Sequence, residues 1–127
     1  MKKILVVDDD PSLLTLVHSF LKDEYEVSAF SNGQAALEAA ANIQPDLFLV
    51  DVLMPGMSGY EFFLKLKEAN SLLKNVPVVV MSTRENLKYV FDEKKILSFL
   101  PKPFTKNELR QAVNLTLSQI ESETKQD

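Results

Sequence analysis

The chain has 127 residues, 46% apolar and 25% charged, with eight Phe and three Gly; this is the size and composition of one globular domain with a real core, and it excludes a disordered or low-complexity segment. A net charge of −4 provides no electrostatic footprint for nucleic acid or anionic lipid, whose readers need a clustered basic face. The absence of Cys excludes disulfides, thiolate metal sites and a Cys nucleophile, and it suits a reducing cytoplasm.

Lys2 and Lys3 precede an apolar run, but the run stops after Val7 at Asp8, Asp9 and Asp10. That is too short for an export signal or a membrane span, so a soluble domain with no membrane partner is expected. Residues 3–7 read instead as a strand buried on both faces. Asp10 can cap the next helix, Pro11 suits its first position, and Leu13, Leu14, Val17, Phe20 and Leu21 recur at helical spacing. Tyr25, Val27 and Ala29 alternate as a second strand, and Ser31 with Gln34 makes a capping-box pattern for an Ala-rich helix ending near Asn42, closed by Pro45. Residues 47–50 form a wholly apolar strand ending on Asp51, followed by the breaker-rich Met54-Pro55-Gly56. Ser58 with Glu61 opens a third helix carrying Phe62, Phe63 and Leu66, and residues 76–81 are a fourth strand ending at Ser82 and Thr83. Residues 84–95 form a weaker fourth helix and 96–100 a fifth strand. Thr105 with Glu108 caps a last helix with Leu109, Val113, Leu117 and Ile120 on one face. The polar residues from Glu121 onward are expected to fray, giving a domain over 1–122 and a polar tail over 123–127.

Strands alternating with helices imply an α/β fold: a doubly wound, five-stranded parallel sheet with five helices on its two faces, since parallel strands need right-handed crossovers. The expected strand order is flavodoxin-like, 2-1-3-4-5, and ligands of such sheets bind beyond the carboxyl ends of the strands at the switch point between strands one and three. At those ends stand Asp8 and Asp9 after the first strand, Asp51 after the third, Ser82 and Thr83 after the fourth and Lys102 after the fifth. Three neighbouring carboxylates repel one another, so the cluster makes sense mainly around a hard cation. Oxygen-only ligands without His or Cys favour Mg²⁺. A hydroxyl and an ammonium facing that metal are what a transferring phosphoryl group needs, and a carboxylate between them can be the nucleophile. Each piece alone has an ordinary reading. An acidic run can cap a helix, Asp51 can cap a turn, loop hydroxyls bond their own backbone and a lysine can be solvated. The case rests on their coincidence at successive strand ends.

With Ile4-Leu5-Val6-Val7-Asp8-Asp9-Asp10-Pro11, the segment from Asp46 to Gly59 with Asp51 before Met54-Pro55-Gly56-Met57-Ser58-Gly59, the strand from Pro77 to Thr83, and Lys102-Pro103-Phe104, the chain resembles the receiver domain of two-component response regulators over nearly its whole length. The resemblance implies that Asp51 accepts phosphate from a histidine kinase or phosphotransfer protein. It implies that Asp9, Asp51 and the backbone carbonyl of Leu53 ligate Mg²⁺ directly while Asp8 acts through water. It further implies that Ser82 bonds the phosphoryl oxygens in the active state, that Lys102 pairs with them, and that Lys102-Pro103 is a cis peptide. Output would pass through the face of the fourth helix, fifth strand and last helix to another protein or domain, the chain being a monomer or a weak dimer through that face. Such a chain is a cytoplasmic phosphoacceptor rather than an enzyme acting on a separate substrate.

Three features depart from the family pattern. Thr83 stands where Ala or Gly is usual and narrows the phosphoryl entrance; residues 92–97 replace the usual small-residue loop; and Phe99, at the switch-aromatic position, lacks the hydroxyl of the common Tyr. His18 is read as partly buried packing on its helix rather than a phosphocarrier, and Tyr60, Phe62 and Phe63 as core plus one exposed ring. Two other functions remain to be weighed: a receiver fold used unphosphorylated as an interaction module, and a phosphatase of the haloacid-dehalogenase type with Asp8 as nucleophile. The second leaves Asp51 and Met54-Pro55-Gly56 without a purpose.

Overall fold

Five short strands pair in parallel, in the order β2-β1-β3-β4-β5: β1 (Lys3–Val7), β2 (Glu26–Phe30), β3 (Leu47–Asp51), β4 (Val78–Thr83) and β5 (Ser98–Lys102). The computed structural model describes residues 1–69, 72–83 and 98–125. Between the strands run α1 (Pro11–Leu21), α2 (Gly33–Ile43) and α3 (Gly59–Ala69), and a C-terminal helix (Lys106–Lys125) follows β5. The doubly wound sheet is thus as the alternation implied. Four helices, not five, are seen among the described residues, and the expected fourth helix over 84–95 lies outside them.

The period-2 alternation of each strand divides the core in two. On one side Leu5, Val7, Phe48 and Val50 pack with Ala36, Ala40, Phe62 and Leu66 from α2 and α3. Here Phe62 meets Phe48 edge to face, with ring centroids 5.5 Å apart. On the other side Ile4, Val6, Leu49 and Met81 pack with Val17 and Leu21 of α1 and with Leu109 and Val113 of the C-terminal helix. All five residues of β3 are buried, so the central strand carries its terminal Asp51 into the interior.

Local signals set most boundaries. The Asp10 side chain accepts from the Ser12 N–H with Pro11 at the helix start, and Thr105 with Glu108 forms a reciprocal box at 2.9 and 3.1 Å. Five readings need correction. The α2 cap is Asn32, which accepts from the Ala35 N–H at 3.0 Å, rather than Ser31; Gln34 reaches along the helix to Glu38 instead of back to the cap. β4 starts at Val78 rather than 76, because the Val76 N–H turns back to Leu73 and Pro77 has no N–H to give. β5 runs two residues further than expected, through Pro101 to Lys102, because an edge strand tolerates a proline that a central one would not. His18 is exposed on α1, where its backbone carbonyl accepts from the Lys22 N–H. The C-terminal helix continues to Lys125, through the stretch expected to fray. Tyr60 is exposed while Phe62 and Phe63 are buried, as the pattern suggested.

Candidate functional site

The ladder registers deliver the charged groups to one edge. Val7 pairs with Val50 and Thr83 with Lys102, so the residues that end or follow β1, β3 and β5 lie side by side. Asp8 is fully buried. Its backbone N–H donates to the Phe30 carbonyl at 3.1 Å. Its Oδ1 accepts from the Asp10 N–H at 2.9 Å and its Oδ2 from the Lys102 ammonium at 2.7 Å. Both oxygens therefore already have protein donors. This use of Asp10, as the backbone donor that orients Asp8, was missed by the sequence reading, which saw only the helix cap; the Asp-x-Asp spacing of an Asx turn is the signal that points to it.

Asp51 is 7% exposed and its Oδ1 lies 3.3 Å from Lys102 Nζ. Burial pushes its carboxyl up to about 6, the Asp8 charge and more weakly that of Asp9 add to this, and Lys102 opposes it. Burial alone would lower Lys102, but the hydrogen bond to Asp8 and the charges of Asp51 and Asp8 outweigh it and raise its pKa. Ligand atoms of Asp8, Asp9 and Asp51 all lie within 4.8 Å of one another, with Asp9 exposed at the rim. Three carboxylates around one ammonium leave excess negative charge. Together with the all-oxygen donor set, that fits a hard divalent cation such as Mg²⁺.

The loop after Asp51 is built to hold its shape. Met54-Pro55-Gly56-Met57 is a turn with Pro in its second position and Gly56 at φ 82°, closed by the Met57 N–H on the Met54 carbonyl at 3.4 Å. Met54 and Met57 are buried in the core, which leaves Leu53 turned outward at 40% exposure. Ser82 is fully buried beside the site, but its hydroxyl donates to the Thr83 carbonyl at 2.8 Å rather than toward Asp51. Thr83 is exposed opposite Lys102 in the ladder, and Phe99 sits on β5 at 39% exposure, paired with Val80. Lys102-Pro103 is cis. The structure thus gathers Asp8, Asp9, Asp51 and Lys102 into one cluster, and leaves Ser82, Thr83 and Phe99 around it.

A family model described as the response regulator receiver domain matches residues 4–114. Sporulation initiation phosphotransferase F of Bacillus subtilis is 33% identical over 115 residues, covering 88% of this chain and 90% of that protein. The sensor histidine kinase TmoS of Ectopseudomonas mendocina is 31% identical over 118 residues, which are 91% of this chain but 12% of that protein, so the chain spans about an eighth of its length. The chemotaxis response regulator CheY4 of Vibrio cholerae superposes with a TM-score of 0.79 at 30% identity, covering 90% of this chain and 97% of that one. Among the described residues no helix is long and apolar enough to cross a membrane. Fold, clustered acids and sequence match agree, and the chain belongs to the response regulator receiver domain family of two-component systems.

Proposed function

We propose that the chain is a phosphoacceptor that takes a phosphoryl group onto Asp51 from a histidine kinase or phosphotransfer protein. The observation that carries this is the buried carboxylate of Asp51, held 3.3 Å from the Lys102 ammonium and next to Asp8 and Asp9. An Asp51 oxygen forms the new bond to phosphorus while the bond from phosphorus to the donor nitrogen or oxygen breaks. The electron pair leaves with the donor group. Asp9, Asp51 and the Leu53 carbonyl would hold Mg²⁺, with Asp8 acting through a water, and the ion would supply positive charge to the phosphoryl oxygens. Lys102 supplies a second cation, already fixed by Asp8, and so needs little reorganisation when charge develops. Asp8 is a poor alternative nucleophile because it is fully buried and both oxygens are hydrogen-bonded. The protein is thereby both substrate and catalyst of its own modification, with no separate turnover.

For switching, Ser82 must exchange the Thr83 carbonyl for a phosphoryl oxygen. Phosphorylation adds about −1.5 to −2 charges, enough to draw a hydroxyl and bias the segment beyond it toward the face that includes β5 and the C-terminal helix. Incubation with acetyl phosphate and Mg²⁺, read by intact mass, should add one phosphoryl group to the wild type and none to Asp51→Asn. An adduct that persists in Asp51→Asn would refute the assignment. With beryllium fluoride, amide shifts should cluster over residues 82–110; failure of any shift or adduct would favour an unphosphorylated interaction module.

A further inference from the structure

Gly59 is the first residue of α3, and its Cα rests against the backbone of Asp51. A Cβ added at Gly59 would stand 2.8 Å from the Asp51 carbonyl oxygen, 3.1 Å from Val52 Cα and 3.4 Å from the Asp51 carbonyl carbon. These are main-chain atoms at the end of the central strand, which cannot swing aside as a side-chain tip can. The Gly59 N–H donates to the Val52 carbonyl at 2.9 Å, while the Val52 N–H donates to Met81 at 3.0 Å. The segment from Asp51 to Val52 is therefore held between β4 on one side and the start of α3 on the other. Glycine is required at 59 for space, since among the described glycines only Gly56 takes a positive φ.

We infer that Gly59 is a positioning residue for the phosphorylation of Asp51. By presenting a bare Cα to the Asp51 carbonyl, it lets α3 fix the Asp51–Val52 peptide, and with it the direction of the carboxylate and the course of the chain into Leu53. This rests on the reading of Asp51 as phosphoacceptor. A methyl group at 59 must displace either the helix start or that peptide. Misplacing a reacting group by about 1 Å costs on the order of 10²-fold in rate. Gly33 supplies the control: a Cβ there also comes within 2.8 Å of a neighbour, but that neighbour is Sδ of Met57, the far end of a flexible side chain.

The test compares wild type, Gly59→Ala and Gly33→Ala at low temperature, with each shown folded by circular dichroism, for the rate of phosphoryl uptake from saturating acetyl phosphate with Mg²⁺. Loss of stability alone does not change that rate in a folded population. Gly59→Ala should load roughly tenfold or more slowly, and Gly33→Ala close to wild type. Wild-type loading in Gly59→Ala, or equal slowing in both variants, would overturn the positioning role while leaving Asp51 as acceptor. No uptake by wild type would overturn both. If Gly59→Ala does not fold, the Gly59 amide of the wild type reports the same contact: with Mg²⁺ and beryllium fluoride it should shift along with the amides of residues 51–53, and an unmoved signal would count against the inference.

Discussion

Lys102 lies closer to Asp8 than to the proposed acceptor: its ammonium is 2.7 Å from Asp8 Oδ2 and 3.3 Å from Asp51 Oδ1. The fully buried acid thus anchors the cation, and Asp51 shares it. Lys102→Met keeps much of the stem's volume but leaves the acids facing each other without a counter-charge. Breaking a buried pair in this way should lower unfolding free energy by about 2–4 kcal/mol near pH 8 in urea titrations. The loss should shrink near pH 5, where Asp51 can carry a proton. A loss under about 0.5 kcal/mol, the scale of a surface pair, would show that Lys102 does not hold these acids.

Asp51 itself should make the metal-free protein pH-sensitive. Its carboxyl is raised from 3.8 to about 6, chiefly by burial and then by Asp8. Between those values the folded protein keeps a proton that the unfolded chain has released, so the stability this supplies is complete below the unfolded pKa and is lost as pH rises through about 6. Relative to Asp51→Asn, the wild type should lose about 2–3 kcal/mol between about pH 4 and pH 7.5. Added Mg²⁺ should restore part of this in the wild type and less in Asp51→Asn. Parallel pH profiles for the two proteins would contradict the shift.

The phosphorylated form should be long-lived. Hydrolysis needs a water aligned behind phosphorus, and Leu53, exposed two residues beyond Asp51, offers it no side-chain hydrogen bond. Arg84, two beyond Ser82, is outside the described residues and by type is no base. Each missing positioning contact slows attack by roughly tenfold, about 1.4 kcal/mol of barrier. Leu53→Asn with Arg84→Glu should speed phosphate loss after donor removal, and Thr83→Ala should speed both loading and loss. A wild-type lifetime of seconds, or an unaccelerated double variant, would show that other groups control the water.

Far from the acids, the Tyr25 hydroxyl donates to Asn114 Oδ1 and Arg110 pairs with Glu24, tying the C-terminal helix to the start of β2. Tyr25 is buried at its ring, and burial, with Glu24 adding, raises its hydroxyl pKa. Tyr25→Phe should cost about 1 kcal/mol, and a double-mutant cycle with Asn114→Ala should recover most of it as coupling. The Glu24–Arg110 cycle should give less, as partly exposed pairs do. A larger coupling for the ion pair would reverse this ranking.

The amino-acid sequence by itself determined the strand and helix alternation, the sheet order and the acids at the strand ends, because buried parallel strands are short continuous apolar runs whose ends must carry the polar groups. Asp8, Asp9, Asp51 and Lys102 were legible as one site for that reason. Tertiary structure alone decided how they are arranged. That Lys102 leans toward Asp8 and takes its second oxygen depends on a distance between segments remote in sequence, and that the Ser82 hydroxyl faces the Thr83 carbonyl depends on the backbone conformation at the end of β4. It also decided the role of Gly59, which sequence shows only as the end of a turn-rich run. The space it leaves becomes visible only when α3 is laid against the Asp51 carbonyl, since steric need at a backbone contact leaves no periodic pattern in the chain.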